Sequence, residues 1–253
     1  MSTFNKSPNV LFPVRVARAQ RVSPGFMRIT FAAPELKFLP SRSLDQRIKI
    51  LFPKTPHLPQ SLAEPILPES QWRKQWRELD PDIRPHLRTY TIAQSRPKVA
   101  EVDIDFFLHD QTPTFSAVNW ARTARIGDHA AISAPDTRKS PGLHGIQWRP
   151  GPARHAVLIG DETAIPAMRG ILSAFRRKNA VVLLHAKHPL DAQLLGDHEP
   201  FSDQTLKRIK KQLTPETYIW CAGESLWVAQ LRQEFLATGL SPEQIQVQGY
   251  WNR

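Results

Sequence analysis

The feature that most constrains this chain is a change of pattern near its middle. Before Pro135 the apolar residues fall into short strand-like runs separated by Pro/Gly turns, and after Pro152 strand-like and helix-like runs alternate. Val10–Val22 and Gly25–Ala32 read as two strands broken at Ser23-Pro24-Gly25, and Ile48, Ile50 and Phe52 alternate with Arg47, Lys49 and Leu51. Further strands are expected at His86–Ala93, Ala100–His109 and His129–Ala134, with Val102, Ile104, Phe106 and Leu108 sharing one face. Several short strands between turns suggest a small antiparallel barrel. Between them, residues 53–86 carry seven prolines, at 53, 56, 59, 65, 68, 81 and 85, and read as a long loop with one short helix near Gln71–Glu78. Such a length points to a functional or lid-like excursion.

The second half has strands at Ala156–Ile159, Val181–His185, Tyr218–Ala222 and Ile245–Tyr250, and helices at Pro166–Lys178, Asp203–Leu213 and Leu226–Ala237. That alternation is the mark of a parallel sheet flanked by helices. The expected fold class is therefore β + α/β: an antiparallel β-barrel over residues 1–135, a linker over 136–152 containing Gly142, Gly145 and Gly151, and an α/β domain of nucleotide-binding type over 153–253.

Composition narrows the function. Lys plus Arg is 34 against 23 acidic residues, a net charge of +11. A field of that sign attracts anions: nucleic acid, a membrane surface or a small anionic substrate. The basic residues form only short clusters, at Arg73-Lys74, Arg176-Arg177-Lys178 and Lys207-Arg208-Lys210-Lys211, without a recognition-helix pattern or aromatic–basic interleaving, so nucleic acid is not expected as a partner. No apolar run approaches the ~20 residues of a membrane helix and no leader pattern opens the chain, so a cytoplasmic protein without membrane insertion is expected. A single cysteine, Cys221, excludes an intrachain disulfide and a Cys-rich metal or iron–sulfur site. His185 and His188 have no third ligand nearby in sequence, and no Walker A or Gly-x-Ser-x-Gly string is present.

Arg88-Thr89-Tyr90-Thr91 is the most informative string. On a strand, Arg88 and Tyr90 share one face and Thr89 and Thr91 the other. A flavin dinucleotide needs a cation for its pyrophosphate and a flat surface for its ring, and an Arg two residues from a Tyr offers both. A solvated strand face is the competing reading of that string alone. Ser116, with Ala117, Val118 and Asn119 behind it, reads as the N-cap of a short helix whose amides are open to a phosphate.

These strings, with Asp103-Ile-Asp-Phe-Phe107-Leu108-His109, Gly160-Asp161-Glu-Thr163-Ala164-Ile-Pro-Ala167, Ala222-Gly223-Glu224 and the terminal Gly249-Tyr250-Trp251, occur in the order found in the siderophore-interacting proteins, which the chain resembles from about residue 14 to its end. That family comprises FAD-dependent ferric-siderophore reductases within the ferredoxin–NADP reductase superfamily. The resemblance implies FAD held by Arg88, Thr89, Tyr90, Thr91, Phe107, Leu108, His109, Ser116, Ala117, Val118, Asn119, Asp161, Thr163 and Ala164. It implies NAD(P)H beside Ala222, Gly223, Glu224, Tyr250 and Trp251, or reduced ferredoxin as the electron donor instead. It also implies a basic cleft for the Fe(III)–siderophore substrate, with Lys49, Arg138, Lys139 and Arg253 as counterparts of the family's basic side chains. No obligatory acid–base residue follows, and a monomer is expected.

The departures from the pattern matter. The family's Gly-Pro-Ala before the short helix is Phe115-Ser116-Ala117 here, and the superfamily's Gly-x-Gly-x-x-Pro turn has Asp161 and Thr163 at its glycine positions. Fewer glycines imply a tighter, side-chain-lined turn and a weaker dinucleotide cradle. Asp161 and Glu162 read equally as helix caps or as ligand contacts. A flavin reductase without siderophore specificity remains the alternative function.

Overall fold

The computed structural model describes residues 7–40, 44–64, 66–109, 116–139, 144–175 and 177–252. The chain divides into two compact units, Met1–Val22 with Phe26–Gly145, and Ser23–Gly25 with Ile146–Arg253.

In the first unit, strands β1 (Asn9–Ser23), β2 (Phe26–Ala32), β3 (Arg47–Phe52), β5 (His86–Arg96), β6 (Glu101–Phe107) and β7 (His129–Pro135) follow one another round the barrel in the order β2-β6-β5-β3-β7-β1, and a β1–β2 pairing closes it. The β1–β7, β2–β6, β3–β5, β3–β7 and β5–β6 pairings are antiparallel. The two-residue strand β4 (Leu67–Pro68) adds to β1 at Val10 and Leu11. Alternation decides what lies inside. Val102, Ile104 and Phe106 point into a core with Phe12, Ile29, Ile50 and Ile132. The helix α2 (Ala117–Thr123) packs Ala117, Val118 and Ala121 against that core.

The opposite face of β6 is charged as well as buried. Its alternate residues, Asp103 and Asp105, are buried beneath paired arginines. Arg96 donates to both oxygens of Asp103 at 2.6 Å, Thr30 donates to Asp103 at 2.7 Å, and Arg28 grips Asp105 at 2.7 and 2.8 Å. Planar guanidinium forks satisfy the buried carboxylates on this sheet face.

The Pro-rich stretch is a second layer and not a lid. Helix α1 (Glu69–Glu78) lays Trp72, which is fully buried, over the outer face of the barrel with Leu11, Leu51, Leu58, Leu62, Leu67 and Ala131. Arg84 closes the segment by donating to the Leu79 and Arg77 carbonyls while lying over the Trp76 ring. These are orphan carbonyls of the last helical turn, satisfied by a cation of favourable sign.

The second unit is a five-stranded parallel sheet in the order β10-β9-β8-β11-β12: β8 (His155–Asp161), β9 (Ala180–His185), β10 (Glu199–Pro200), β11 (Thr217–Glu224) and β12 (Ile245–Trp251). Every residue of β11 is buried, as a central parallel strand covered on both faces requires. Helices α3 (Ile165–Ala174), α4 (Pro189–Ala192), α5 (Asp203–Lys210) and α6 (Ser225–Leu236) connect the strands. α3 ends four residues before the expected Lys178 because Phe175 turns to extended geometry and packs edge-on against Trp148, 5.5 Å away. Trp148 also meets Tyr218 at 5.2 Å, so Ile146–Trp148, expected as linker, is buried in this unit.

Candidate functional site

In the first unit β5 pairs with β3 so that Arg88 lies opposite Ile50 and Tyr90 opposite Ile48, while Thr89 lies opposite Lys49 and Thr91 opposite Arg47. The pleat therefore puts Arg88 and Tyr90 on the core-facing side and Lys49, Thr89 and Thr91 on the other. Tyr90 is half-buried, its ring 4.5 Å from Phe106 and 6.1 Å from Phe52. Burial pushes its phenol upward, against the opposing charge of Arg88. Arg88 is exposed; its Nη1 donates to its neighbour's carbonyl, on Leu87, at 2.9 Å, and no carboxylate pairs with it among the described residues. Burial and the charges of Lys54 and Arg88 hold the His86 imidazole below its ordinary pKa. The start of β5 is thus a cationic place.

Phe107 packs on Phe26 at 5.3 Å, Leu108 belongs to the core, and exposed His109 uses its carbonyl to accept from Arg122 at 2.9 Å. Ser116 caps α2, its hydroxyl accepting from the Asn119 amide at 3.1 Å. Phe115 lies outside the described residues. A cleft of about 310 Å³ opens beside this helix, walled by Pro53, Thr55, Ser116, Asn119, Trp120 and His129. Trp120 is half-buried, stacked on Phe31 at 6.0 Å and tilted on Phe52 at 5.0 Å, so it serves the core with one face and the cleft with another. Ala117 and Val118 are buried and pack inward.

The basic residues expected to receive substrate fare differently. Lys49 is half-buried; burial and then the charges of Arg73 and Arg47 lower its pKa, with Glu69 opposing. Arg47 and Arg73 therefore act on Lys49 as neighbouring charges, Arg73 while paired with Glu69 at 2.6 Å; sequence placed Arg73 in a short basic cluster, and only the fold brings it to Lys49. Ser133, opposite Lys49 in the sheet, is buried, and its Oγ has no hydrogen-bond partner among the described residues. Arg138 is exposed but engaged by its own chain: it chelates fully buried Asp136 at 3.0 and 2.6 Å and lies 3.5 Å above the Phe38 ring. Lys139 is exposed. Arg253 lies outside the described residues.

In the second unit Asp161 is a hub. One carboxylate oxygen accepts from the amide of Thr163 at 2.9 Å and from its hydroxyl. The other accepts from the Glu224 amide at 3.1 Å and from Trp251 Nε1 at 2.8 Å. Glycine is required at 223, where a Cβ would stand 2.7 Å from Asp161 Oδ2. Glu162 accepts from the Lys187 amide at 2.7 Å and Glu224 caps α6 through the Trp227 amide at 2.8 Å. Asp161 caps the turn Glu162–Ala164, whereas the Glu162 carboxylate reaches across to the loop after β9. Ala164 and Ala222 are fully buried, Tyr250 is half-buried and Trp251 is 40% exposed. His185 packs on Phe201 and Trp227, and His188 caps α4 through Nδ1.

A closed antiparallel barrel, followed by a parallel α/β unit, defines a ferredoxin-reductase-like fold. The chain matches the model of the siderophore-interacting FAD-binding domain over residues 15–139 and that of the siderophore-interacting protein over residues 153–253. It belongs to the siderophore-interacting protein family. It is 25% identical to the NADPH-dependent ferric-chelate reductase of Escherichia coli, covering 94% of this chain and 91% of that one. It is likewise 25% identical to the ferric acinetobactin reductase of Acinetobacter baumannii, over 68% of this chain and 62% of that protein. Among solved structures, the siderophore-interacting protein SipS of Aeromonas hydrophila superposes with a TM-score of 0.68 at 25% identity, covering 98% of this chain and 93% of that one.

Proposed function

We propose that this chain is an FAD-dependent ferric-siderophore reductase that takes electrons from NAD(P)H or reduced ferredoxin and releases iron as Fe(II). The observation that carries the reading is Arg88: an exposed guanidinium without a carboxylate partner among the described residues, beside Tyr90, in a member of this family. FAD, when bound, supplies the redox chemistry, accepting a hydride and giving up electrons singly. The protein's own part is binding and electrostatics. Arg88 and Lys54 neutralise the pyrophosphate, and Tyr90, backed by Phe52 and Phe106, gives the ring a flat apolar surface. Asn119 and Ser116 border the cleft beside α2 and offer hydrogen bonds to the dinucleotide.

The substrate complexes carry multiple negative charges when their ligands are catecholates. Lys49 with Arg47 and Arg73, and exposed Lys139, form the attracting surface within a net charge of +11. Lys49, half-buried with its pKa lowered by burial and by the charges of Arg73 and Arg47 against Glu69, is favoured by an arriving anion, which supports a recruiting role. Fe(II) binds siderophore oxygens more weakly than Fe(III), so reduction alone frees the metal. NADPH as donor has the support of the Escherichia coli relative's name, and ferredoxin that of the basic surface. A cytoplasmic monomer suits this role; no helix among the described residues is long and apolar enough to cross a membrane.

The test is to purify the protein, extract its flavin and identify it. Bound FAD, together with saturable reduction of a ferric siderophore, supports the proposal. FAD with non-saturable reduction of any ferric complex would instead favour a general flavin reductase.

A further inference from the structure

Buried polar atoms almost always find a partner, so an orphan marks either a cost or a use. Ala130, Ile132 and Ala134 of β7 point into the barrel core, which leaves Ala131, Ser133 and Pro135 on its outer face, all buried. Ser133 is 1% exposed, yet its Oγ has no hydrogen-bond partner among the described residues. Its surroundings are apolar: Leu11 lies opposite it on β1, and Leu11 and Ala131 pack in one cluster with Leu51 and Trp72. Alanine would fill that place without leaving a hydroxyl unsatisfied.

On the other side of Ser133, directly opposite it on β3, stands Lys49. Opposed side chains of an antiparallel pair start about 5 Å apart, and the flexible four-carbon stem of lysine lets its ammonium reach such a neighbour. The acid that acts on Lys49 is already engaged: Glu69 accepts from Arg73 at 2.7 Å and also from Ser7 and Asn9. The other groups facing Lys49 are cationic or neutral: Arg47 on its own strand, Arg73 on α1 and Thr89 opposite it on β5. Burial and then the two arginines press Lys49 toward its uncharged form, with Glu69 opposing. A hydroxyl oxygen that accepts from the ammonium favours the charged form.

We propose that Ser133 is a positioning residue: its Oγ accepts a hydrogen bond from the Lys49 ammonium and holds that charge in place for the anionic substrate. Ser133 itself touches no ligand. The inference rests on the reading that Lys49 recruits the ferric siderophore. An ammonium has three donors, so two remain for the substrate's oxygens. The indole Nε1 of Trp72 is also without a partner among the described residues, and it competes for the same oxygen as a neutral donor.

The experiment follows the lysine Cε resonances of isotope-labelled, FAD-loaded protein by NMR through alkaline pH, with Lys49 assigned by its loss in Lys49→Gln. Ser133→Ala removes a single oxygen from an apolar setting, so the fold tolerates it. It should lower the Lys49 pKa by about one unit, the loss of a hydrogen bond to a charged group. Ser133→Thr keeps the hydroxyl and should restore the wild-type titration. Trp72→Phe keeps a ring, lacks the indole N–H and should leave Lys49 unchanged. Steady-state reduction of a ferric tris-catecholate gives the second readout. In Ser133→Ala its KM should begin to rise at a pH about one unit lower than in the wild type, while kcat holds. An unmoved Lys49 pKa in Ser133→Ala overturns the proposal, as does the same shift in Trp72→Phe, or a pKa that moves while the KM profile stays. Wild-type KM in Lys49→Gln at every pH refutes instead the recruiting reading on which the proposal rests, and the NMR titration judges the Ser133–Lys49 contact independently of it.

Discussion

The Tyr90 and Phe106 rings lie 4.5 Å apart, tilted by 51°, with Phe52 edge-on behind them. The Tyr90 ring is thus braced from inside the barrel before any ligand arrives. If it is the flavin's support, the ring matters and the hydroxyl does not. Tyr90→Phe should retain FAD, whereas Tyr90→Ala should weaken it by about tenfold, an aromatic contact of about 1.5 kcal/mol. Fluorescence titration of apoprotein with FAD measures both.

His86 reports on the same place. Burial and the charges of Lys54 and Arg88 lower its folded-state pKa, so its protonation opposes folding, and the stability it lends is lost as pH falls from the ordinary histidine value through the lowered one. An anionic pyrophosphate bound by Arg88 and Lys54 would cancel part of that field. The His86 pKa, followed by NMR, should therefore rise on FAD binding, and Arg88→Ala should raise it in the apoprotein without FAD.

The paired outer face of β6 sets the acid limit of the first unit. Burial alone would raise Asp103, yet the hydrogen bonds from Arg96 and Thr30 and the charges of Arg96 and Arg28 outweigh it and hold the group low. A lowered carboxylate contributes stability that is complete above its unfolded value of about 3.9 and is lost as pH falls through the folded one. Urea midpoints should drop below pH ~4 in the wild type. Asp103→Asn should cost about 1–3 kcal/mol at pH 7 and flatten that acid limb.

Trp72→Ala tests the second layer formed by the Pro-rich stretch. Removing a fully buried indole should destabilise the fold by about 3–5 kcal/mol, read from urea unfolding. A lid would have tolerated the change with little loss.

What was legible in the sequence followed period and order. The two-residue alternation of Val102, Ile104 and Phe106 marked an inward face, and the strand–helix alternation after Pro152 marked the parallel sheet. Where contacts are remote, local pattern was silent. Prolines at 53–85 broke the periodicity that would have shown Trp72 as core. Asp161 meets Trp251 across 90 residues, and no spacing rule foretells that partner. Arg138 read as a free cation because sequence does not show that Asp136, two residues away, is fully buried and chelated, and Phe38 becomes its neighbour only in the fold.

The basic cluster around Lys49 should govern encounter with anionic substrate. Combining Lys49→Gln with Lys139→Gln should raise the half-saturating concentration of an anionic ferric siderophore and weaken its salt dependence, since exposed charges are screened over ~8–10 Å. Arg138→Ala, whose charge is already paired with Asp136, should leave that salt dependence as it is.

The central claim is that electrons pass from this protein's flavin to siderophore-bound iron. The most direct measurement reduces the FAD-loaded protein anaerobically, mixes it with a ferric tris-catecholate, and follows flavin absorbance and chelator-trapped Fe(II) together. The account predicts that flavin colour returns as Fe(II) forms, one Fe(II) for each electron stored, at a rate that saturates with the iron complex. A protein that binds no FAD, or whose reduced flavin stays bleached while the complex remains ferric, contradicts it.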